Sequence, residues 1–282
     1  MFFKKKKKPI NIGNYKLNLQ RDNEDSRDFK LRSHITSYEP LPKSVDLRPL
    51  MPTVFSQGRF GSCTANGGCA NLSYLINLVK GEKTTLSRMY LYNKERMNDG
   101  TPLTEDSGSS VRQICKTLKK DGVCDEELFP YYAENFSKEP DEKANENAKK
   151  HRIKSYYRCD NAYEMKTALA MGLPVLVGCG IYEDFYRTGK NGNIPTIDTS
   201  TPYLGGHLML LVGFKQKPFS NKVKFIIRNS WGESIKTENS WGYNFDDGNP
   251  SDSGFGDNGH GYIDEDNLMN ILLDAWVIAE LE

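Results

Sequence analysis

The stretch Gln57-Gly58-Arg59-Phe60-Gly61-Ser62-Cys63-Thr64-Ala65-Asn66 constrains this chain more than any other. At Cys63, Gly and Ser give way to a run carrying Ala65, Cys69, Leu72, Leu75, Ile76 and Val79 at helical spacing, closed by Gly81. That pattern predicts a central helix over residues 64–80 with a cysteine at its start. The first-turn N–H groups and the positive end of the helix dipole favour thiolate over thiol there, and the thiolate is the nucleophilic form. Gln57 offers an amide donor that can fold back beside the sulfur. Together with the Cys63 backbone N–H it would make an oxyanion hole.

A thiolate nucleophile needs a base, and a base needs a group to orient it. Gly205-Gly206-His207 opens the apolar run Leu208-Met209-Leu210-Leu211-Val212, which reads as a buried strand. Lys224-Phe225-Ile226-Ile227-Arg228 is a second strand-like run that delivers Asn229-Ser230-Trp231-Gly232. His34 and His151 sit in polar stretches, so His260 is the rival base. Asn239-Ser240-Trp241-Gly242 duplicates the second motif, but it follows Lys-Thr-Glu rather than an apolar strand. Cys63, His207 and Asn229 are therefore the candidate nucleophile, base and orienting amide, in the chain order of a Cys-His-Asn triad. Trp231 is placed to cover the His–Asn hydrogen bond from water.

Four blocks, Ser44-Val45-Asp46-Leu47-Arg48, Gln57 to Cys63, Gly206-His207 and Asn229-Ser230-Trp231-Gly232, together resemble the papain family (clan CA) of cysteine peptidases. The chain is most similar to short-prosegment, xylellain-like members, with a cathepsin B-like element in Gly205-Gly206-His207. The resemblance runs from about Ser44 to Tyr262. The family's C-G-[SA]-C-[WY] signature becomes Phe60-Gly61-Ser62-Cys63-Thr64, which lacks both a disulfide cysteine and an aromatic residue.

The resemblance implies an α+β, two-lobed fold, with a helical half over about 60–150, a β-rich, barrel-like half over 151–282, and the active site in the cleft between them. It implies a cysteine endopeptidase acting on a peptide or protein substrate, with no cofactor and no metal. Gly61, Gly108, Gly178, Gly206, Leu208 and Trp231 become the expected substrate-binding positions. Gly108, in Asp106-Ser107-Gly108, stands where the family aligns substrate backbone; Ser107 or Ser109 also reads as a helix cap. Gly178 and Leu208 would line an apolar pocket for the substrate's second residue before the cut.

Residues 1–43 read as an extension or short propeptide, separate from a peptidase domain over 44–282. Arg27-Asp28-Phe29 resembles the Arg-Asp-aromatic element of short prosegments. The extension either packs along the cleft until cleaved near Pro40 to Ser44, or is an N-terminus without a regulatory role. The alternative to catalysis is a silent papain-fold binding or scaffold protein whose cleft stays filled.

Composition narrows the remaining classes. A net charge of +1 supplies no global field for nucleic acid or membrane. The local run Lys4-Lys5-Lys6-Lys7-Lys8 is readable as a contact for nucleic acid or anionic membrane, or as a nuclear import signal, against the plainer reading of a solvated tail. No apolar segment follows those lysines and none reaches membrane-spanning length, which points to a cytoplasmic or other non-secreted protein, with nuclear or virion association the alternative. Six scattered cysteines, one of them kept free for chemistry, point to reduced thiols rather than a disulfide framework. Helices are further expected over 85–97 and 109–121, and residues 135–150 as a solvated loop between the halves. Asp246, Asp247, Asp252 and Asp257 lack the spacing of a calcium loop and read as a polar flap.

Overall fold

The computed structural model describes residues 15–35, 40–232 and 256–282. The first half begins with the short strand β1 (Ser44–Asp46) and is otherwise helical: α1 (Cys63–Lys80), α2 (Arg88–Asn98), α3 (Val111–Lys120) and α4 (Glu142–Ala148). Local chemistry sets the helix ends. Ser87 Oγ accepts from Tyr90 N and Ser110 Oγ from Gln113 N, each covering a first-turn donor. Gly81, at φ 70°, turns α1 off in a left-handed conformation open to glycine.

Residues 135–150, expected as a loop, contain α4. Asp141 Oδ1 accepts from Ala144 N at 2.8 Å, and Ala144 and Ala148 are wholly buried. Two alanines bury that face, too small an apolar signal for periodicity to register.

The second half holds β2 (Ile153–Arg158), α5 (Ala162–Ala170), β3 (Val175–Tyr182), β4 (Tyr203–Gln216), β5 (Val223–Arg228), β6 (His260–Asp264), α6 (Glu265–Ile271) and β7 (Leu272–Leu281). Its strands form one antiparallel sheet in the order β2-β7-β3-β4-β5-β6, with β1 paired to β4. Side chains of β4 alternate between two cores: Leu208, Leu210 and Val212 join the core under the helices, while Met209 and Leu211 join the core on the other side, and a register shift between Leu211 and Gly213 turns Phe214 to that second side too. Period-two alternation thus makes β4 the partition of the molecule.

The helix carrying Cys63 lies against that partition because of one glycine. A Cβ on Gly67 would fall 2.1 Å from Leu208 Cδ2. With no side chain at Gly67, Leu208 seats on α1, which brings the start of the helix to the His207 end of β4.

Candidate active site

His207 lies near the start of β4, paired in register with Cys179. Asn229 directly follows β5, and its backbone N–H donates to Gly259 O at 3.0 Å. The two side chains meet, with His207 Nε2 2.7 Å from Asn229 Oδ1. The same oxygen accepts the Ser230 backbone N–H at 2.7 Å. A backbone N–H only donates, so that atom is the amide oxygen and His207 Nε2 carries the proton. The other ring nitrogen, Nδ1, is buried without a hydrogen-bond partner and holds the basic lone pair. Trp231 stacks on the ring, with centroids 4.9 Å apart. His260 is elsewhere, on β6 opposite Arg228, with Nδ1 on Asn258 O at 3.0 Å.

Cys63 stands at the first position of α1, fully buried. Backbone N–H groups of Leu208, Thr64 and Cys63 itself point at the sulfur. The Leu208 contact places the thiol beside the residue that follows His207. Burial nevertheless pushes the thiol up to about 12, and burial pulls His207 down to about 4. In this state the thiol and the imidazole are both neutral.

Gln57 is wholly buried and doubly fixed: its Oε1 accepts from Ser230 Oγ at 2.7 Å and its Nε2 donates to Phe60 O at 2.9 Å. The same Nε2 lies 3.4 Å from Lys16 O. The departures from the family signature also find partners. Phe60 stacks on Phe136 at 4.8 Å, and Thr64 Oγ1 donates to Glu95 Oε2 at 2.6 Å. Burial raises the Glu95 carboxyl to about 8, which at neutral pH leaves it mostly without the charge that would oppose a thiolate at Cys63. Glu95 was invisible to motif reading, because its partner sits 31 residues away.

What buries the site is the chain's own N-terminal segment. Tyr15 stacks on Trp231 at 4.9 Å and 9°. Leu17 O lies against Gly205, and Asn18 fills the space beside Gly61 and Gly108. Leu19 N–H donates to Gly206 O at 3.0 Å, and its side chain packs against Gly178 and Val111. Gln20 N–H donates to Ser109 O at 2.9 Å. Ideal Cβ atoms on Gly61, Gly108, Gly178 and Gly206 would lie between 2.0 and 2.7 Å from this segment, so bare backbone at all four positions admits it. Leu208, grouped with these positions in the sequence, instead directs its side chain at α1.

Beyond the groove the segment is held by ions. Asp22 accepts from Arg112 N at 3.1 Å and from Trp276 Nε1 at 2.9 Å, and its own N–H donates to Asp274 Oδ2 at 2.9 Å. Arg112 grips Asp28 through two bonds of 2.9 and 2.6 Å, while Arg158 reaches Asp274 at 3.0 Å and Asp28 at 3.5 Å. Within Arg27-Asp28-Phe29 only the aspartate side chain takes part. Arg27 pairs with Asp25, and Phe29 is 70% exposed.

Residues 41–247 match the family model described as papain family cysteine protease. The chain belongs to that family. It is 30% identical over 281 residues to an uncharacterized peptidase C1-like protein of Acanthamoeba polyphaga mimivirus, covering 92% of this chain and 81% of that protein. The crystal structure of xylellain, a cysteine protease from Xylella fastidiosa, superposes with a TM-score of 0.76 at 27% identity over 98% of this chain and 99% of that one. A procathepsin B from Trypanosoma congolense shares the fold, with TM-score 0.67 and 15% identity over 94% of this chain and 87% of that one. The protein is thus a papain-like cysteine peptidase, a hydrolase.

All six cysteines are free thiols. Among the described residues no helix is long and apolar enough to cross a membrane. The lysine run at 4–8, the duplicate Asn239 motif and the expected polar flap, Asp257 excepted, lie outside the described residues.

Proposed function

We propose that this peptidase is an endopeptidase working through Cys63, His207 and Asn229, held inactive by residues 15–30 until they are displaced or cut. His207 Nδ1 takes the Cys63 proton, and the thiolate attacks a peptide carbonyl. Gln57 Nε2 and the Cys63 N–H receive the oxyanion. The imidazolium, steadied through Nε2 by Asn229, protonates the leaving amine, and water releases the acyl group. The observation that carries this reading is the forced tautomer at His207, in which the Ser230 N–H on Asn229 Oδ1 leaves Nδ1 as the free base.

The same geometry supports the restraint. The segment fills the groove with a side chain at Gly178 and a carbonyl at Gln57, and it strips water from the thiol and the imidazole, which suppresses the charged pair. Leu19 marks the pocket at Gly178 and Val111 as one for an aliphatic substrate side chain. The test is hydrolysis of a fluorogenic peptide by the intact chain, by Leu19→Asp, which unseats the segment, and by Leu19→Asp with Cys63→Ala. Activity is expected only in the second. Turnover by the Cys63→Ala form would overturn the mechanism, and full activity in the intact chain would overturn the restraint.

A further inference from the structure

The loop that leads from Gln57 to Cys63 is held by a tyrosine the mechanism does not use. The Tyr131 hydroxyl donates to the Gln57 backbone carbonyl at 2.8 Å. A hydroxyl has one proton and a carbonyl only accepts, so in the 2.5 Å contact between Tyr131 and Ser62 Oγ the serine is the donor. Asn66 Nδ2 donates to both oxygens of Ser62, at 2.9 and 3.2 Å, and Asn66 Oδ1 accepts from the Arg88 guanidinium at 3.0 Å. That guanidinium lies over the Tyr131 ring, 4.0 Å from its centroid. The result is a one-way chain of donors, Arg88 to Asn66 to Ser62 to Tyr131 to Gln57, in which every residue is buried.

This chain ties both ends of the loop to a single oxygen: Gln57 carries the oxyanion donor, and Ser62 directly precedes the nucleophile. Its bonds run between the loop, α1, α2 and Tyr131, so they remain when residues 15–30 leave. Burial raises the Tyr131 hydroxyl to about 12, which keeps its proton in place through the neutral range. On the peptidase reading above, we propose that Tyr131 is a positioning residue for the oxyanion hole, fixing where the Gln57 amide stands relative to the Cys63 sulfur. Ser230 and Phe60 hold the Gln57 side chain at its tip, and Tyr131 holds it at its root. A donor aimed at a developing oxyanion works only while it stays within about 0.5 Å of its place.

The test asks whether Tyr131 acts through Gln57. Full chains bearing Leu19→Asp, which opens the groove, carry Tyr131→Phe, Gln57→Ala, both or neither, and each is offered a fluorogenic peptide. Tyr131→Phe removes one oxygen and keeps the ring beneath Arg88. It is expected to lower kcat by about tenfold with KM unchanged, part of the effect of losing the donor outright, and to change kcat by less than about twofold where residue 57 is already alanine. Alkylation of Cys63 by iodoacetamide, a displacement that forms no oxyanion, is expected to keep the parent's rate in Tyr131→Phe. An unchanged kcat, a fall that persists undiminished without the Gln57 amide, or an alkylation rate that falls along with kcat would each overturn the assignment. Ser62→Ala frees the same hydroxyl from its other side and carries the same comparison if Tyr131→Phe does not fold. No hydrolysis by the Leu19→Asp parent would overturn the peptidase reading, whereas the outcomes that overturn this inference alone appear in an active parent.

Discussion

The N-terminal segment is held by different physics at its two ends. Residues 15–20 lie in the groove through backbone hydrogen bonds, a stacked ring and one buried leucine. Residues 22–30 are tied down by carboxylates on Arg112 and Arg158. The two ends also answer to acid in opposite ways. His207 is held below its ordinary 6.5, at about 4, so the sealed groove binds fewer protons than the open one. Its contribution to sealing is present above about 6.5 and is lost as pH falls toward 4. Burial raises Asp274 from 3.8 to about 6, so its contribution is present below about 4 and is lost as pH rises through 6. Acid therefore loosens the end at the chemistry while favouring the end at the anchor.

Substitutions can break this contrast, the largest effect first. Arg112→Met removes the two guanidinium bonds to Asp28 and leaves it only Arg158 at 3.5 Å, an effect at or below the roughly 3–5 kcal/mol of a fully broken buried pair. The expected outcome is a lower denaturation midpoint together with faster labelling of Cys63 by an epoxide inhibitor. Gln57→Ala in the opened chain is expected to lower kcat by about 10²–10³, or roughly 2.7–4 kcal/mol. Leu19→Ala removes a buried side chain from the groove end alone, an effect of about 2–3 kcal/mol on seating, read as a rise in labelling rate. Asp274→Asn is the smallest change, a sharpening rather than a break. Relative to the unaltered chain it is expected to flatten the fall in stability as pH rises from about 4 to 6, leaving the acid-driven opening at His207 in place.

Much of the groove was legible in the residues. Cys63, His207 and Asn229 each stand where a helix start or strand end could be read from apolar spacing, and the structure puts His207 and Asn229 in contact. The positions that escaped notice carry their meaning in distant partners. Asp22 looks like a surface acid in a polar stretch until Arg112 is seen beside it, and Asp28 and Asp106, named for the elements they sit in, gave no sign of their partners Arg112, Arg158 and Lys16. Glu95 reads as a helix-surface residue, yet it is buried beneath the first turn of α1. α4 was hidden because alanine carries too small an apolar signal. Long-range pairing has no local period, so no pattern along the chain announces it.

The central claim is that a reactive thiol–imidazole pair exists and is kept neutral by its own N-terminal segment. The rate of Cys63 alkylation by iodoacetamide against pH tests it directly, in the intact chain and in Leu19→Asp. The intact chain is expected to react slowly up to the alkaline range, as a thiol raised to about 12 requires, while the opened chain reacts fast at neutral pH. Equal profiles in the two chains, or an opened chain as unreactive as the intact one, would contradict the account.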